Sequence, residues 1–470
     1  MPRPLTDPVV RLNRSSPIPL TTQLASELRT AMSTGVLRPT ERLPSSRSLA
    51  AGLSVSRTVV TDAYQQLYAE GWLEGRHGSG TFVAEHEPLS ERPREASGPG
   101  HRPSPERLHT RPSRVQVRDE GMIDLRPGAP WVHDHDRAAL RRAWRHAAEH
   151  FPDEEPDPHG LPRLRELLAE HLRRARGIRI GPENVLVTRG TGNGLDLVAA
   201  LLGPGIRAGV EEPGYARART ILFARGAQVI PCPVDHDGLR VENLPEDLDL
   251  VYTTPAHQYP LGGRLPVPRR ERLLAWAART GALIVEDDYD AEFRYDVAPL
   301  PALYGLDPDL VVLLGTLSKT LDPDLGIGWI VAEPELVHRL SLLRAELTDR
   351  TSGPVQAATA RLLERGDLDR HLRRMRREYA RRRALIVEHL GLRLAGDTAG
   401  LHVLLCLPKN AVDAVVRAAK AEGVLVEDTS RTSQGAPRVH GLVIGYGSVS
   451  YTELRRACEV LSRIVDHHAG

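Results

Sequence analysis

Lysine is nearly missing from this chain. Of 62 basic residues only Lys319, Lys409 and Lys420 are lysine, and the other 59 are arginine. Cysteine is as scarce: Cys232, Cys406 and Cys458 are odd in number and scattered. That argues against a disulfide framework and a CxxC metal centre, so no metal site is expected. No apolar run is long enough to span a bilayer, and the opening MPRPLTDPVV lacks the features of a signal peptide. A cytoplasmic setting with no membrane partner is the expectation. An excess of one charge is also lacking, with a net charge of +1. Residues 1–85 carry nine Arg against seven acids, and 86–119 seven against five. So mild an asymmetry establishes no nucleic-acid partner. A length of 470 residues, 41% hydrophobic and 26% charged, suits a soluble chain of more than one domain.

In so lysine-poor a chain, the position of Lys319 is informative. LVVLLGTLSKTL (310–321) places it straight after an apolar, β-branched run that reads as a buried strand. A buried amine has a lowered pKa and attacks aldehydes, the usual route to a Schiff base. A lysine at a strand end with its head in water fits the spacing equally, so the rest of the chain decides.

Residues 20–84 read as helices followed by a hairpin. Leu20, Leu24, Leu28 and Met32 recur every fourth position, an amphipathic helix ending at Gly35. Ser45 or Ser46 caps a short helix to about Leu53, and Ser54-Val55 turn. Ser56 caps a longer helix whose Val59, Ala63 and Leu67 share a face. Two short helices on a tight turn match the helix-turn-helix, and WLEGRHGSGTFVAE (72–85) supplies a two-stranded wing. At the start of the second helix Arg57 is placed to read a guanine, with Ser56, Thr58 and Arg47 on phosphate. His77 and Gly78 at the wing tip suit a minor groove. The partner would be double-stranded operator DNA.

Residues 86–119 hold six prolines with many Arg and Glu, an extended tether that cannot build a core. From about 120, short β-branched runs alternate with helices, the order of an α/β fold with a mainly parallel sheet. NVLVTRGTGNGLDLVAALL (184–202) reads strand, turn, helix, and Gly190, Thr191, Gly192 and Asn193 would open the helix with N–H groups facing an anion. Tyr215 and Arg217 stand at the first loop of the strand–helix–strand passage 207–235. Glu286, Asp287 and Asp288 follow Leu283-Ile284-Val285, which puts at least one carboxylate at the sheet's C-terminal edge. Three adjacent acids need something positive nearby, and a protonated pyridine nitrogen qualifies. Pyridoxal 5'-phosphate needs an amine, an acid for its ring nitrogen, an aromatic ring to stack, a donor to its ring oxygen and an anion site. Lys319, Asp287, Tyr215, Tyr289 and the Gly190–Asn193 turn offer these in that order.

Two resemblances bear on these pieces. LPSSRSLAAGLSVSRTVVTDAYQQLYAEGWLEGRHGSGTFV resembles the winged helix-turn-helix of the GntR family, with Thr61 where many members have a further DNA-reading arginine. That leaves the operator sequence open. From about 122 to 465 the chain resembles aminotransferase class I, fold-type I enzymes. That resemblance gives Thr316 and Ser318 to the cofactor phosphate, Lys319 to the Schiff base, and places His257 and Tyr259 beside the ring. The whole is similar to the MocR/GabR-like regulators. The implied organisation is a DNA-binding domain at 17–85, a linker at 86–119 and a large domain at 120–470. The group further implies a head-to-tail, domain-swapped homodimer whose DNA binding answers to an amine or amino-acid effector.

Two positions depart from the pattern. Gly326 stands where the lysine segment usually carries a phosphate-clamping arginine, and Val443 where a carboxylate-binding arginine is usual. Arg431, Arg438 or Arg217 would then receive the effector. Three functions remain on these grounds: a regulator sensing an amine through the cofactor, a working aminotransferase with a DNA-binding appendage, and a regulator whose large domain no longer holds the cofactor.

Overall fold

Serine hydroxyls start two of the helices in the small domain. In the computed structural model, which describes residues 10–76, 80–85, 121–149, 155–290, 292–295 and 301–469, the chain divides into two units with the break after Gln116. The 86–119 tether and the wing-tip residues His77 and Gly78 lie outside the described residues.

The first unit is built from α1 (Leu20–Ser33), α2 (Ser46–Leu53), α3 (Arg57–Ala69), β1 (Leu73–Arg76) and β2 (Gly80–Val83). Ser45 accepts the Ser48 N–H at 3.2 Å and Ser56 accepts the Val59 N–H at 3.4 Å, each satisfying a donor that has no partner within the helix. Leu24, Leu28 and Met32 of α1 meet Leu49 of α2 and Val60, Ala63, Tyr64 and Leu67 of α3 in one core. The inward face of α3 therefore starts at Val60; Val59 is only partly buried at its edge. β1 and β2 pair antiparallel from Leu73 opposite Val83 to Arg76 opposite Gly80. The Tyr68 hydroxyl donates to Thr81 at 2.7 Å, tying the wing to α3.

The second unit begins with β3 (Ile123–Asp124), α4 (Arg137–Ala148) and α5 (Pro162–Arg176). Strands and helices then alternate through β4 (Val185–Thr188), α6 (Thr191–Leu202), β5 (Arg207–Glu212), α7 (Ala216–Ala224), β6 (Gln228–Asp235), β7 (Gly238–Leu239), β8 (Leu250–Thr253), α8 (Val267–Thr280) and β9 (Leu283–Asp287). β10 (Val311–Thr316) and β11 (Gly328–Val331) complete an eight-stranded sheet of order β4-β11-β10-β9-β8-β5-β6-β7. Its middle, from β10 to β6, is parallel, as expected of strands joined by helices. The sheet is nevertheless mixed, because β11 runs antiparallel to both β10 and β4. Two reversals cancel, so β4 and β10 point the same way and end at the same edge as β9. Every residue of β4, β8, β10 and β11 is buried, which accounts for their unbroken apolar runs.

Helices α9 (Pro334–Glu346), α10 (Gly353–Glu364) and α11 (Asp367–Leu390) lead to a second sheet. Here β12 (Leu394–Ala395), β13 (His402–Cys406), β15 (Glu427–Asp428) and β16 (Gly441–Gly445) take the order β12-β13-β16-β15, while β14 (Val424–Leu425) pairs with β3. Helices α12 (Val412–Ala421) and α13 (Tyr451–Ala469) accompany them.

Candidate functional sites

Helix α3 presents its first turn to solvent. Arg47, Ser56, Arg57 and Thr58 are all exposed. Arg57 Nε donates to Ser46 at 3.4 Å, which holds the guanidinium beside the N-terminus of α2. The Ser56 hydroxyl is engaged as a cap, and the Thr61 hydroxyl donates back to the Arg57 carbonyl at 2.9 Å, so Arg57 and Arg47 are the residues best placed to reach a base edge or a phosphate.

In the large unit, side-chain alternation along β9 separates the three consecutive acids. Glu286 accepts the Leu303 and Tyr304 N–H groups, both at 3.1 Å, and burial pushes its pKa up to about 7. Asp288 pairs with Arg176 at 2.9 Å. Asp287 faces the other way. Its Oδ2 accepts the Tyr252 hydroxyl at 2.5 Å, while its buried Oδ1 has no hydrogen-bond partner among the described residues. Burial raises the Asp287 pKa to about 7, against the pull of Tyr252, Thr191 and the Lys319 charge. A buried carboxylate oxygen without a donor is costly, and a protonated ring nitrogen is a group that would satisfy it.

Lys319 lies three residues past β10. It is half-buried rather than enclosed, so the burial expected to activate it is incomplete; its Nζ donates to the Gly128 carbonyl at 2.5 Å.

The residues expected to form an anion site meet where β4 and β10 end. Gly190 adopts φ +120°, and a Cβ placed on it would lie 3.5 Å from Thr316 Oγ1 and 3.9 Å from Ser318 Oγ. The turn also lies against the start of β11: a Cβ on Gly328 would lie 2.5 Å from Gly190 Cα. No side chain caps α6, so the Thr191, Gly192 and Asn193 N–H groups at its first turn have no intrahelical acceptor. Asn193 contributes through its main chain, since its side chain accepts the Arg189 N–H and donates to Asp349, both at 3.0 Å. Gly326 sits at φ +56° with nothing within 4 Å of a Cβ.

Tyr215 stands at the N-cap position of α7, and its ring meets that of Tyr259 edge-on at 6.1 Å between centroids. Burial raises the Tyr215 pKa, while the nearby Arg217 lowers it. His257 is held by two neighbours: its Nδ1 lies 2.9 Å from Asp290 Oδ2 and 3.1 Å from the Tyr289 hydroxyl, which also donates to the His257 carbonyl at 3.1 Å. Glu211 sets the loop that carries His257 and Tyr259. Buried, with its pKa raised by burial, it accepts from Thr253 at 2.5 Å, from Thr254 and from Gln258.

The effector arginines are more dispersed. Arg217 is exposed. Arg431 is 61% exposed and 3.8 Å from Glu427. Arg438 is exposed and lines a cavity of about 740 Å³ with Glu212, Pro213, Pro231, Pro233 and Gln434, walls that include none of the cofactor candidates. Val443 is fully buried with Leu261 and Leu404, packed against Tyr259. Sequence reasoning missed Tyr252, Asp290 and His402. Tyr252 had a signal, a lone hydroxyl-bearing aromatic in a buried strand; nothing in the sequence marked the other two.

Asp287 with its unpartnered oxygen, the open first turn of α6 beside Thr316 and Ser318, and a nearby lysine fit pyridoxal phosphate at both its ring and its phosphate. Comparison with known proteins agrees with the fold. Residues 129–461 match the aminotransferase class I and II family, and residues 20–83 the bacterial regulatory proteins of the gntR family. The chain is 36% identical to the HTH-type pyridoxine biosynthesis transcriptional regulator PdxR of Corynebacterium glutamicum, over 96% of this chain and 97% of that one. It is also 36% identical to the probable rhizopine catabolism regulatory protein MocR of Rhizobium meliloti, over 96% and 94%. Among solved structures, kynurenine aminotransferase of Pyrococcus horikoshii superposes with a TM-score of 0.70 at 24% identity, covering 77% of this chain and 96% of that one. The aminotransferase class I fold implies dependence on pyridoxal phosphate, and the gntR domain implies DNA binding. The chain belongs to the MocR/PdxR-type transcriptional regulators, in which a GntR-family helix-turn-helix domain is fused to an aminotransferase class I/II domain.

Proposed function

We propose that this regulator senses an amine or amino-acid effector through pyridoxal phosphate held covalently by Lys319. The unpartnered, buried Oδ1 of Asp287 carries the reading. When bound, the cofactor supplies an aldehyde that condenses reversibly with amines. Asp287, oriented by Tyr252, keeps a ring nitrogen protonated. The first turn of α6 with Thr316 and Ser318 would hold the phosphate, Tyr215 would stack, and the Tyr289 hydroxyl, which donates to the His257 carbonyl, would switch to a ring oxygen. His257 and Tyr259 complete that wall, and Arg217, Arg431 and Arg438 are candidates for the effector's far end. The fully buried Val443 removes the usual carboxylate clamp, which favours sensing over steady transamination.

A ligand changes DNA binding only through contacts that differ between two arrangements of the protein. Arg47, Ser56, Arg57 and Thr58, with His77 and Gly78 of the wing tip, make up the operator-contacting set. The assembly that goes with this reading is a head-to-tail, domain-swapped homodimer, with 86–119 as the linker between the two domains.

Absorbance and borohydride trapping test the reading. The purified full chain soaked in pyridoxal phosphate is expected to absorb in the visible and, once reduced, to carry the cofactor on Lys319 alone. Lys319→Ala is expected to be colourless yet still to bind operator. A colourless wild type, or trapping on Lys409 or Lys420 instead, would overturn it.

A further inference from the structure

Behind Tyr289 the fold assembles a donor set that the sequence does not announce. His257 comes from the loop after β8, Asp290 from the loop after β9 and His402 from the start of β13, in the other sheet. All three are buried, at 3%, 2% and 3% exposure. His257 Nδ1 lies 2.9 Å from Asp290 Oδ2, the two imidazole centroids are 4.7 Å apart, and one ligand atom from each residue falls within 4.8 Å of the others. His402 Nε2 is buried without a hydrogen-bond partner among the described residues. The backbone of Gly400 encloses the cluster. A Cβ there would come within 2.2 Å of His257 Nδ1 and 2.7 Å of Asp290 Oδ2, so only glycine leaves those two side chains room.

The geometry points to a divalent transition-metal site, of the zinc class, formed by His257, Asp290 and His402. Two imidazoles and one carboxylate are the donor set that such ions take, with a fourth position left for water or a neighbouring oxygen. The Tyr289 hydroxyl, 3.1 Å from His257 Nδ1, is the neighbour at hand. Ligand atoms on one tetrahedral ion stand about 3.3 Å apart, given metal–nitrogen distances of about 2.0 Å, so the ion would draw His402 inward. It would take the place of the contact between His257 and Asp290 and supply His402 Nε2 with its missing partner. Because His402 belongs to the second sheet and the other two to loops of the first, the ion would clamp the two sheets together directly behind Tyr289.

Metal content and anomalous scattering on the full chain are the test. Protein stripped with a chelator and dialysed against zinc is expected to retain one equivalent, at least tenfold more weakly in Asp290→Asn and in His402→Gln. His236→Ala should change nothing, which separates the buried site from the group of half-buried Asp235 and Asp237 with exposed His236. Should either ligand variant fail to fold, crystals of the wild type measured at the zinc edge decide. A peak within bonding distance of His402 Nε2 supports the site. No retained zinc, undiminished retention in a folded His402→Gln, or a peak only at Asp235–Asp237 overturns it.

Discussion

Replacing Asp287 by asparagine should move two properties in opposite directions. With no cofactor present, Asp287 is a buried carboxyl whose pKa stands at about 7 against an ordinary 3.8. A group raised in the folded state gives its full stability below its unfolded pKa and loses it as pH climbs to the folded one. Each tenfold change in proton affinity is worth about 1.4 kcal/mol, so above pH 7 the ionised carboxylate costs the cofactor-free fold up to about 4 kcal/mol. Asparagine keeps the shape and can still accept from Tyr252 without the charge. The cofactor-free variant should therefore be more stable than wild type, with an advantage that grows by roughly 2–3 kcal/mol between pH 5 and pH 8.5 and levels off above pH 7.5. The same variant loses the anionic partner of a ring nitrogen, a charged hydrogen bond worth about 1.5–3 kcal/mol, and should release pyridoxal phosphate at least tenfold more readily. Urea denaturation of stripped protein at the two pH values and cofactor titration by absorbance measure both. A variant that is less stable at pH 8.5, or that holds the cofactor as firmly as wild type, would refute the reasoning.

Three further outcomes are expected. Arg57→Ala, at an exposed position, should weaken operator binding roughly tenfold to a hundredfold, the worth of about 1–3 kcal/mol for a base contact, with circular dichroism and cofactor absorbance unchanged. Gly326→Arg places a side chain in open space at φ +56°. It should cost about 1 kcal/mol of stability for the left-handed backbone, and tighten cofactor binding about tenfold if the new guanidinium reaches the phosphate; titration by absorbance checks the second effect. Gly328→Ala should destabilise the large domain by about 1–3 kcal/mol and loosen the phosphate end, since its Cβ would stand 2.5 Å from Gly190 Cα and from the Gly315 carbonyl; denaturation and cofactor dissociation together test it.

Local patterns were enough for the elements. The cap at Ser56, the strand–turn–helix at Val185–Leu202 and the buried run before Lys319 are legible, because capping and apolar periodicity act over a few residues; between Ser45 and Ser46 the structure selects Ser45. Register within an element was less so. Val59 was read as core on α3, where the tertiary face begins at Val60, a rotation of one residue that packing alone selects. The acids Glu286, Asp287 and Asp288 could be placed at a sheet edge, but not told apart.

The sequence by itself determined the two-part organisation, the strand ends that bear Asp287 and Lys319, and the glycine turn, since each depends on neighbours along the chain. Only the tertiary structure decided which acid keeps an unpartnered oxygen, that Tyr252 orients it, and that Arg176 neutralises Asp288 from a helix 112 positions away. It also decided that Lys319 is half-buried, and that His402 is brought up to His257 and Asp290 from another sheet. Those outcomes rest on burial and on partners distant in sequence, and neither is written in any short stretch of the chain.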